Sequence, residues 1–229
     1  MKNGNFDPEM LPLPSLDFQG LFPVGTVPFF TQNRRGVEVL LPREAEISEG
    51  YGSKRLSDFC TGRYCLRSCT NILGFSGEIL IGDRGMPILP PGIVGTVSHS
   101  KVLSGAVAAL ANDFLSVGLD IESNGRINRD MWHLLFNDDE SGFLNSLAAD
   151  EQVLTATKYF SAKEAFYKMQ YPLTGMYLDF HDVEMLPEQG DTLCVVLLNE
   201  AGPFEKGRRF EVNAKVAGNE IITFCALPK

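Results

Sequence analysis

Two long segments with helical periodicity, each followed by shorter β-like segments, constrain the fold most strongly. Between Ser53 and Leu73, apolar residues recur every three to four positions or about twice that, and Gly74 follows as a typical helix stop. Residues Asp150–Gln170 form a second helical segment, bounded by Pro172. The order of helix and strands, then helix and strands again, predicts an α+β chain of two halves that meet near residue 118.

Turn-forming residues separate the predicted strands. Residues 1–42 are predicted to be mostly irregular, with one strand at about Val37–Leu41. Turns are expected at Gly82–Pro87, at residues 90–92 and at Gly218-Asn219, which joins the last two strands as a hairpin. The other predicted strands are Ile93–Ser98, Gly105–Ala111, Phe114–Glu122, Asp179–Leu186, Thr192–Leu198, Arg208–Ala217 and Glu220–Leu227.

The composition argues against several classes of protein. A chain of 229 residues with a formal net charge of -9 lacks the basic character of broad nucleic-acid binders. The N-terminus, MKNGNFDPEM, lacks the features of a signal peptide, and no stretch reaches the ~18 apolar residues of a membrane span. We therefore expect a soluble, cytoplasmic protein that binds no membrane. The cysteines, with Cys65 and Cys69 four apart, are expected to be reduced, buried thiols, and a zinc site is the alternative.

The first candidate for chemistry is the alternating pattern Val117-Gly118-Leu119-Asp120-Ile121-Glu122. Residues two apart in a strand point to the same face, so Asp120 and Glu122 project side by side. Two carboxylates this close repel each other unless a cation lies between them or one is protonated. Oxygen ligands without a nearby cysteine or histidine favour Mg²⁺ over zinc. The alternative is an acidic strand end exposed to solvent.

The second candidate is the pair Glu164 and Lys168 in the second predicted helix. Residues four apart share one face of a helix, and such a pair is most often an exposed salt bridge. The neighbours Phe166, Tyr167 and Met169 make the surroundings apolar and indicate partial burial. Burial of a charged pair favours a functional role.

Further candidates are groups that bind phosphate. His99 ends a predicted strand among small hydroxyl residues and can donate to a phosphate oxygen; a core or capping histidine is the alternative. Guanidinium groups pair bidentately with phosphate, and a solvated helix face is the alternative, which is favoured for Arg67. The arginines are Arg55, Arg63, Arg67 and Arg84.

Together these segments resemble the two-half 4′-phosphopantetheinyl transferases of the surfactin- and enterobactin-synthase type. The resemblance covers about residues 50–180, and Phe160 stands where the family commonly has tryptophan. The motifs that carry it, in the family's order, are Gly62–Arg67, Gly82–Pro87, Gly92–Ser100, Val117–Glu122, Phe160–Lys168 and Tyr171–Thr174. Residues 1–42 and those after about 180 match no family motif.

The resemblance implies two pseudo-symmetric halves, each a small antiparallel sheet packed with a long helix. The N-terminal half, 1–118, would contact the coenzyme A phosphates, and the C-terminal half, 119–229, would carry the metal-binding acids and the catalytic helix. The implied reaction transfers the 4′-phosphopantetheine group of coenzyme A to a serine of an apo acyl or peptidyl carrier protein and releases adenosine 3′,5′-bisphosphate. A single cleft within one chain implies a monomer.

The resemblance also implies a role for each matched residue. The implied ligands of Mg²⁺, or of Mn²⁺, are Asp120, Glu122 and Glu164. The implied contacts of coenzyme A are Arg55 and Arg63 at the 3′-phosphate, Arg84 and His99 at the phosphates, and Ser98 in the pocket wall. Lys168 matches the lysine of the transfer step, and Glu164 is our first choice for the base that activates the carrier serine.

Two other functions remain open: a non-catalytic coenzyme A-binding module of the same fold, and a Mg²⁺-dependent phosphohydrolase. A carrier protein, itself generally acidic, needs a local basic or apolar docking surface on this acidic chain. Residues 123–150 are the predicted surface, and an ordinary amphipathic helix with a buried Trp132 is the alternative. The residues that cluster there are Arg126, Arg129, Met131, Trp132, Leu134 and Leu135.

Overall fold

The computed structural model describes residues 18–186 and 192–229. Its α-helices are α1 (Pro42–Ser48), α2 (Ser53–Ile72), α3 (Trp132–Leu135), α4 (Asp138–Ser146) and α5 (Ala149–Thr174). Its strands are β1 (Thr26–Thr31), β2 (Leu80–Ile81), β3 (Pro87–Ile88), β4 (Ile93–His99), β5 (Ser104–Leu110), β6 (Phe114–Ser123), β7 (Val183–Leu186), β8 (Thr192–Leu197), β9 (Arg209–Ala217) and β10 (Glu220–Pro228). Short 3-10 turns lie at Val37–Val39, Asp83–Gly85 and Arg129–Met131.

The strands form antiparallel sheets in two layers. The first sheet has the order β1-β5-β4, the second has the order β6-β10-β9-β8-β7, and β2 and β3 form a small separate hairpin. One face of β5, which includes Val107, shares a buried core with Leu119 and Ile121 of β6. The two larger sheets therefore pack face to face.

A long helix covers the outer face of each larger sheet. Helix α2 shares a core with the first sheet, in which Cys65 and Cys69 meet the small residues Ala106 and Ala108 of β5. Helix α5 packs on the second sheet through a core that includes Phe166. The predicted α+β architecture, with an antiparallel sheet and a long helix in each half, is confirmed. The predicted junction at 118/119 lies inside β6, and a division of the chain at that residue stays a prediction.

Gly118 determines how closely α5 approaches the second sheet. A Cβ atom at this position would lie 1.9 Å from the carbonyl oxygen of Ala165 and 2.8 Å from the amide nitrogen of Met169. No side chain fits at such distances, so the backbone of β6 lies directly against the backbone of α5. This contact fixes the carboxylates that follow Gly118 on β6 relative to the side chains of α5.

Three predicted boundaries are wrong. The strand expected at Val37–Leu41 is a 3-10 turn at Val37–Val39, where the carbonyl of Val39 accepts from the half-buried Arg67 side chain before the chain enters α1. Helix α5 continues through Pro172 to Thr174, where Gly175 ends it in a left-handed conformation. The strand expected from Asp179 begins only at Val183, since residues 179–182 form a turn.

The cysteines are free and buried, as the composition predicts. Burial raises the pKa of Cys65 to about 12, so the thiol stays protonated. Within residues 18–186 and 192–229, no three His, Cys, Asp or Glu side chains form a ready-made metal site, and a zinc site at Cys65 and Cys69 is not found there. None of the helices in the described ranges combines the length and apolar character that a bilayer crossing requires.

Candidate active site

A cavity of about 700 Å³ lies where the two halves meet. Its walls are the turn at residues 84–89, strand β4 at 93–97, helix α5 at 164–172 and the segment 176–180. Glu164 and Lys168, the predicted catalytic pair, line this cavity together with Arg84. Three of the predicted site residues therefore line one cavity, and their roles stay predictions.

Asp120 is the buried centre of a polar network beside this cavity, with only 4% of its surface exposed. The ammonium of Lys168 donates to its Oδ1 atom at 2.7 Å, and the hydroxyl of Ser98 donates to the same oxygen at 3.0 Å. The hydroxyl of Ser161 donates to Oδ2 at 2.8 Å. The predicted acid, lysine and serine are thus in direct contact, although they come from three different elements.

Strand β4 joins the edge of β6 through side chains rather than through a backbone ladder. The amide of Leu119 donates to Thr96 Oγ1 at 3.3 Å, and the amide of Ile121 donates to Ser98 Oγ at 3.2 Å. These two hydroxyls satisfy buried edge amides that would otherwise have no partner. Ser98 therefore connects the N-terminal half to Asp120 and is a structural part of the joint as well as a candidate pocket residue.

The other two predicted acids, Glu122 and Glu164, have raised pKa values. Burial raises the pKa of Glu122 to about 7, and the neighbouring charge of Asp120 adds to the effect. Burial also raises the pKa of Glu164, against the opposing influence of Lys168. Carboxylates that share a buried site behave in this way when no cation lies between them. The raised pKa values mark a place where added positive charge is stabilising.

The carboxylates of the candidate site fit Mg²⁺ better than a cation that takes all of its ligands from the protein. Mg²⁺ is commonly held by one or two carboxylates together with substrate phosphates and water. Asp120, Glu122 and Glu164 supply only oxygen donors, and in the protein alone the Lys168 ammonium provides the positive charge next to Asp120. The three acids do not form a complete metal site by themselves, but one or two of them fit a Mg²⁺ ion whose other ligands come from a phosphate-bearing substrate.

Arg84 is held in the cavity wall by an unusual backbone conformation. It has a φ of 50°, the only positive value at a non-glycine residue in the described ranges. Its guanidinium lies 5.4 Å from the ring centre of Tyr177, and the hydroxyl of Tyr171 donates to the adjacent Asp83 at 2.7 Å. Contacts between the halves therefore hold the turn around Arg84 at the cavity.

Arg63 is buried on α2 with an incomplete set of partners. Only 4% of its surface is exposed, its guanidinium lies 4.4 Å from the ring centre of Phe59, and it donates to the carbonyl of Leu80 at 3.2 Å. Its Nε atom has no hydrogen-bond partner. Burial lowers the pKa of Arg63 to about 10. An anion beside this guanidinium would offset its desolvation.

Arg55 and His99 lie apart from the cavity lining. His99 Nε2 is 3.1 Å from a carboxylate oxygen of Asp58, and 45% of the histidine side chain is exposed. Asp58 also accepts from Arg34 at 2.9 Å. Arg55 is exposed one turn before Asp58 on α2, with its guanidinium 4.1 Å from the ring centre of Tyr51. The structure thus groups Arg55, Asp58 and His99 on one side of α2.

Arg67 is not on a solvated helix face, which corrects the sequence-based interpretation. Its guanidinium forms an ion pair of 2.5 Å with Glu44, whose side chain is fully buried. It also donates to the carbonyl of Val39. Glu44 lies 23 residues earlier, so no local pattern indicates this pair. Arg67 is therefore a structural residue that ties α1 to α2.

Three further residues, Lys163, Ser161 and Thr223, contact the site or its walls but are not among the residues predicted from the sequence. Lys163 is fully buried and donates to Glu140, to the carbonyl of Leu135 and to the carbonyl of Phe180, which lines the cavity. Ser161 lies three residues before Glu164, a spacing that places it on the same helix face and is visible in the sequence. Thr223 contacts Ser161 from β10, and only the strand register reveals it.

The comparisons with known proteins identify the family of this chain. Residues 116–225 match the 4′-phosphopantetheinyl transferase superfamily, and residues 43–109 match the 4′-phosphopantetheinyl transferase N-terminal domain. The matched ranges contain the cavity-lining residues Arg84, Glu164 and Lys168 and the acids Asp120 and Glu122. The chain belongs to the 4′-phosphopantetheinyl transferase superfamily and is an enzyme of that type.

Individual relatives carry the same description. The chain is 36% identical to 4′-phosphopantetheinyl transferase Svp of Streptomyces mobaraensis, over 76% of this chain and 72% of the relative. It is 32% identical to PptT of Mycobacterium tuberculosis and 30% identical to Npt of Nocardia iowensis, in each case over 66% of this chain and 67% of the relative. Thermotoga maritima holo-[acyl-carrier-protein] synthase (AcpS) matches 49% of this chain and 62% of its own at 20% identity, with a TM-score of 0.37.

Proposed function

We propose that this enzyme transfers the 4′-phosphopantetheine group of coenzyme A to a serine of an apo acyl or peptidyl carrier protein, with Mg²⁺ or Mn²⁺, and releases adenosine 3′,5′-bisphosphate. The observation that carries the proposal is the contact of Lys168 with Asp120 at the wall of a cavity that Glu164 and Arg84 also line. A diphosphate bound there would meet one lysine, one arginine and a set of acids able to share a divalent cation.

The first task of the site is to hold a polyanion. Arg84 reaches the cavity from the N-terminal half, and Arg63 offers a buried guanidinium with an unused donor. Arg55 of α2 and His99 of β4 both lie near Asp58, where a 3′-phosphate would compete with Asp58 for His99. Asp120, Glu122 and Glu164 would hold the Mg²⁺, which supplies charge neutralisation of the diphosphate.

The second task is the transfer itself. The serine oxygen of the carrier attacks the β-phosphorus, to which the pantetheine arm is attached, and the bond from that phosphorus to the bridging oxygen breaks. Glu164, our first choice for the base, would take the serine proton directly or through a water molecule, and during that step Asp120 and Glu122 alone would hold the Mg²⁺. Lys168 moves from Asp120 towards the bridging oxygen and stabilises the charge of the departing adenosine 3′,5′-bisphosphate.

The third task is docking of the carrier protein, which we assign to residues 123–150. Arg129 lies 5.4 Å from the ring centre of Trp132, which is buried, while Leu134 is 58% exposed. A second cavity of about 740 Å³ borders this segment and includes Arg129 and Trp132. Phe180 lines the active-site cavity, and the next residue, His181, lines this second cavity. A carrier bound at the second cavity would therefore contact the segment that also borders the active-site cavity.

The proposal includes a monomer, because both walls of the cavity come from one chain, and a cytoplasmic location, which suits its free thiols. The carrier could belong to fatty-acid, polyketide or nonribosomal-peptide synthesis. The apo carrier that is modified fastest identifies the class.

The test is an incubation of the protein with coenzyme A, Mg²⁺ and one apo carrier of each class, followed by intact-mass measurement of the carrier. We expect the carrier to gain one phosphopantetheine arm, and EDTA or Asp120→Ala to abolish the gain. Breakdown of coenzyme A without any carrier would favour the phosphohydrolase. Tight binding of coenzyme A without any reaction would favour the binding module.

A further inference from the structure

Asp120 has two kinds of hydrogen-bond partner: the partly exposed Lys168, and the buried hydroxyls of Ser98 and Ser161, of which Ser161 is itself in contact with Thr223. Lys168 is 30% exposed and lines the cavity, so its side chain is free to move towards a bound diphosphate. Ser161 and Thr223 are fully buried between α5 and the second sheet. When Lys168 leaves Asp120, the buried hydroxyls stay in place.

The strand register places these hydroxyls beside Asp120. Thr223 of β10 is directly opposite Asp120 of β6, so the two side chains emerge on the same face of the sheet. That face packs on α5, and the absence of a side chain at Gly118 lets the helix come close enough for Ser161 to reach Asp120 Oδ2 at 2.8 Å. Three elements that are distant in sequence thus meet at a single carboxylate.

The hydrogen atoms of the two hydroxyls can be assigned from their partners. An ionised carboxylate only accepts hydrogen bonds, so the single hydroxyl hydrogen of Ser161 is directed at Asp120. The hydroxyl of Thr223 lies 2.8 Å from Ser161 Oγ and 2.8 Å from the carbonyl oxygen of Ser161, and either position accepts its hydrogen. Thr223 thus contacts both the hydroxyl and the carbonyl of Ser161, and the Ser161 hydroxyl in turn donates to Asp120.

We propose that Ser161 and Thr223 are positioning residues that hold the Asp120 carboxylate in its productive orientation while Lys168 serves the departing phosphate. The inference rests on the proposed function, since it assigns Asp120 to metal binding. Hydrogen-bond partners behind a metal ligand typically contribute about 10–100-fold to metal affinity or activity. We expect Thr223 to position Ser161, and Ser161 to position the carboxylate of Asp120.

The test compares Ser161→Ala, Thr223→Val, Thr223→Ser and the double variant Ser161→Ala/Thr223→Val with the full-length wild-type protein. Thr157→Val is the matched control, because Thr157 is also fully buried on α5 but donates only to the carbonyl of Val153. Two quantities are measured: the dissociation constant of Mn²⁺ with coenzyme A present, from the free Mn²⁺ signal in electron paramagnetic resonance, and kcat and KM for coenzyme A.

We expect Ser161→Ala to raise the Mn²⁺ dissociation constant and to lower kcat by about ten-fold or more, with KM for coenzyme A nearly unchanged. Thr223→Val should show part of this loss, and Thr223→Ser should restore wild-type values. The double variant should equal Ser161→Ala, because Thr223 acts through Ser161. Thr157→Val should change folding stability alone.

The inference would be overturned if folded Ser161→Ala bound Mn²⁺ as tightly as the wild type does. It would also be overturned if Thr157→Val lost as much Mn²⁺ affinity as Ser161→Ala. Additive losses in the double variant, or a wild-type protein that binds no Mn²⁺, would overturn it as well. The proposed function fails separately: it fails when the wild-type protein binds Mn²⁺ and coenzyme A but modifies no carrier, and in that case the Mn²⁺ titration of the variants still measures the effect of the two hydroxyls on Asp120.

Discussion

At the scale of single residues, the candidate site contains two acids, Glu122 and Glu164, whose pKa values are raised mainly by burial. Glu122 has a pKa of about 7 instead of its ordinary 4.5, mainly because it is buried and secondly because Asp120 is close. Between these two values the folded protein binds a proton that the unfolded chain has lost. Stability from Glu122 is therefore complete below pH 4.5 and is lost as the pH rises through 7.

We predict that Glu122→Gln stabilises the metal-free protein at alkaline pH. In EDTA, the melting temperature of the variant should exceed that of the wild type by a margin that grows from pH 5 to pH 8 and then stays constant, since the folded-state pKa is about 7. Glu205→Gln, at an exposed position, is the control and should show no such trend. A difference in melting temperature that shrinks as the pH rises would contradict a raised pKa of Glu122.

Local periodicity predicts four of the residues at the candidate site. Strand alternation predicts that Asp120 and Glu122 point to the same face, and helical spacing predicts that Glu164 and Lys168 share a face. Thr223 could not be predicted, since its position beside Asp120 depends on the pairing of β10 with β6 across about half the chain. The sequence pattern wrongly predicts a solvent-exposed Arg67 for the same reason, because its partner Glu44 belongs to another helix.

At the scale of elements, the contact of β6 with α5 determines the geometry of the site. We predict that Gly118→Ala destabilises the protein by about 3 kcal/mol or more, because the new Cβ would overlap the backbone of α5. Gly142→Ala is the matched control: Gly142 lies in α4 with open space around it, and the change should stabilise the protein by up to about 1 kcal/mol. Urea unfolding measures both changes, and equal effects of the two would contradict the close approach.

The junction of α1 with α2 depends on one buried ion pair. We predict that Arg67→Met costs about 3–5 kcal/mol, because it leaves the carboxylate of Glu44 buried without its partner charge. Arg43→Met is the control, since Arg43 and Glu78 form an exposed pair at 3.9 Å that contributes about 1 kcal/mol or less. A small loss for Arg67→Met in chemical denaturation would show that Glu44 is not held by this arginine.

The elements themselves were largely predictable. Both long helices and the strands after residue 92 follow from local periodicity, apart from the late start of β7. The N-terminal strand was misplaced: β1 lies at Thr26–Thr31, where its Phe-rich pattern pairs with β5 nearly 80 residues later. An edge strand has one partner only, so its position depends on that partner and less on its own sequence.

At the scale of the whole molecule, the candidate active-site cavity lies between the turn at residues 84–89 and β4 on one side and α5 on the other. Arg84 comes from the first half, and Asp120, Glu164 and Lys168 come from the second. The family resemblance in the sequence predicts this arrangement, whereas composition and periodicity alone predict only two α+β halves. The volume of the cavity and the contact of Lys168 with Asp120 are known from the structure alone.

The measurement that tests the central claim most directly is the molar ratio of released adenosine 3′,5′-bisphosphate to modified carrier protein in one reaction mixture. Transfer at this cleft predicts equal amounts of the two products, no nucleotide without a carrier, and neither product from Asp120→Ala. Nucleotide released without a carrier, or in clear excess over modified carrier, would contradict transfer and show that water is the acceptor.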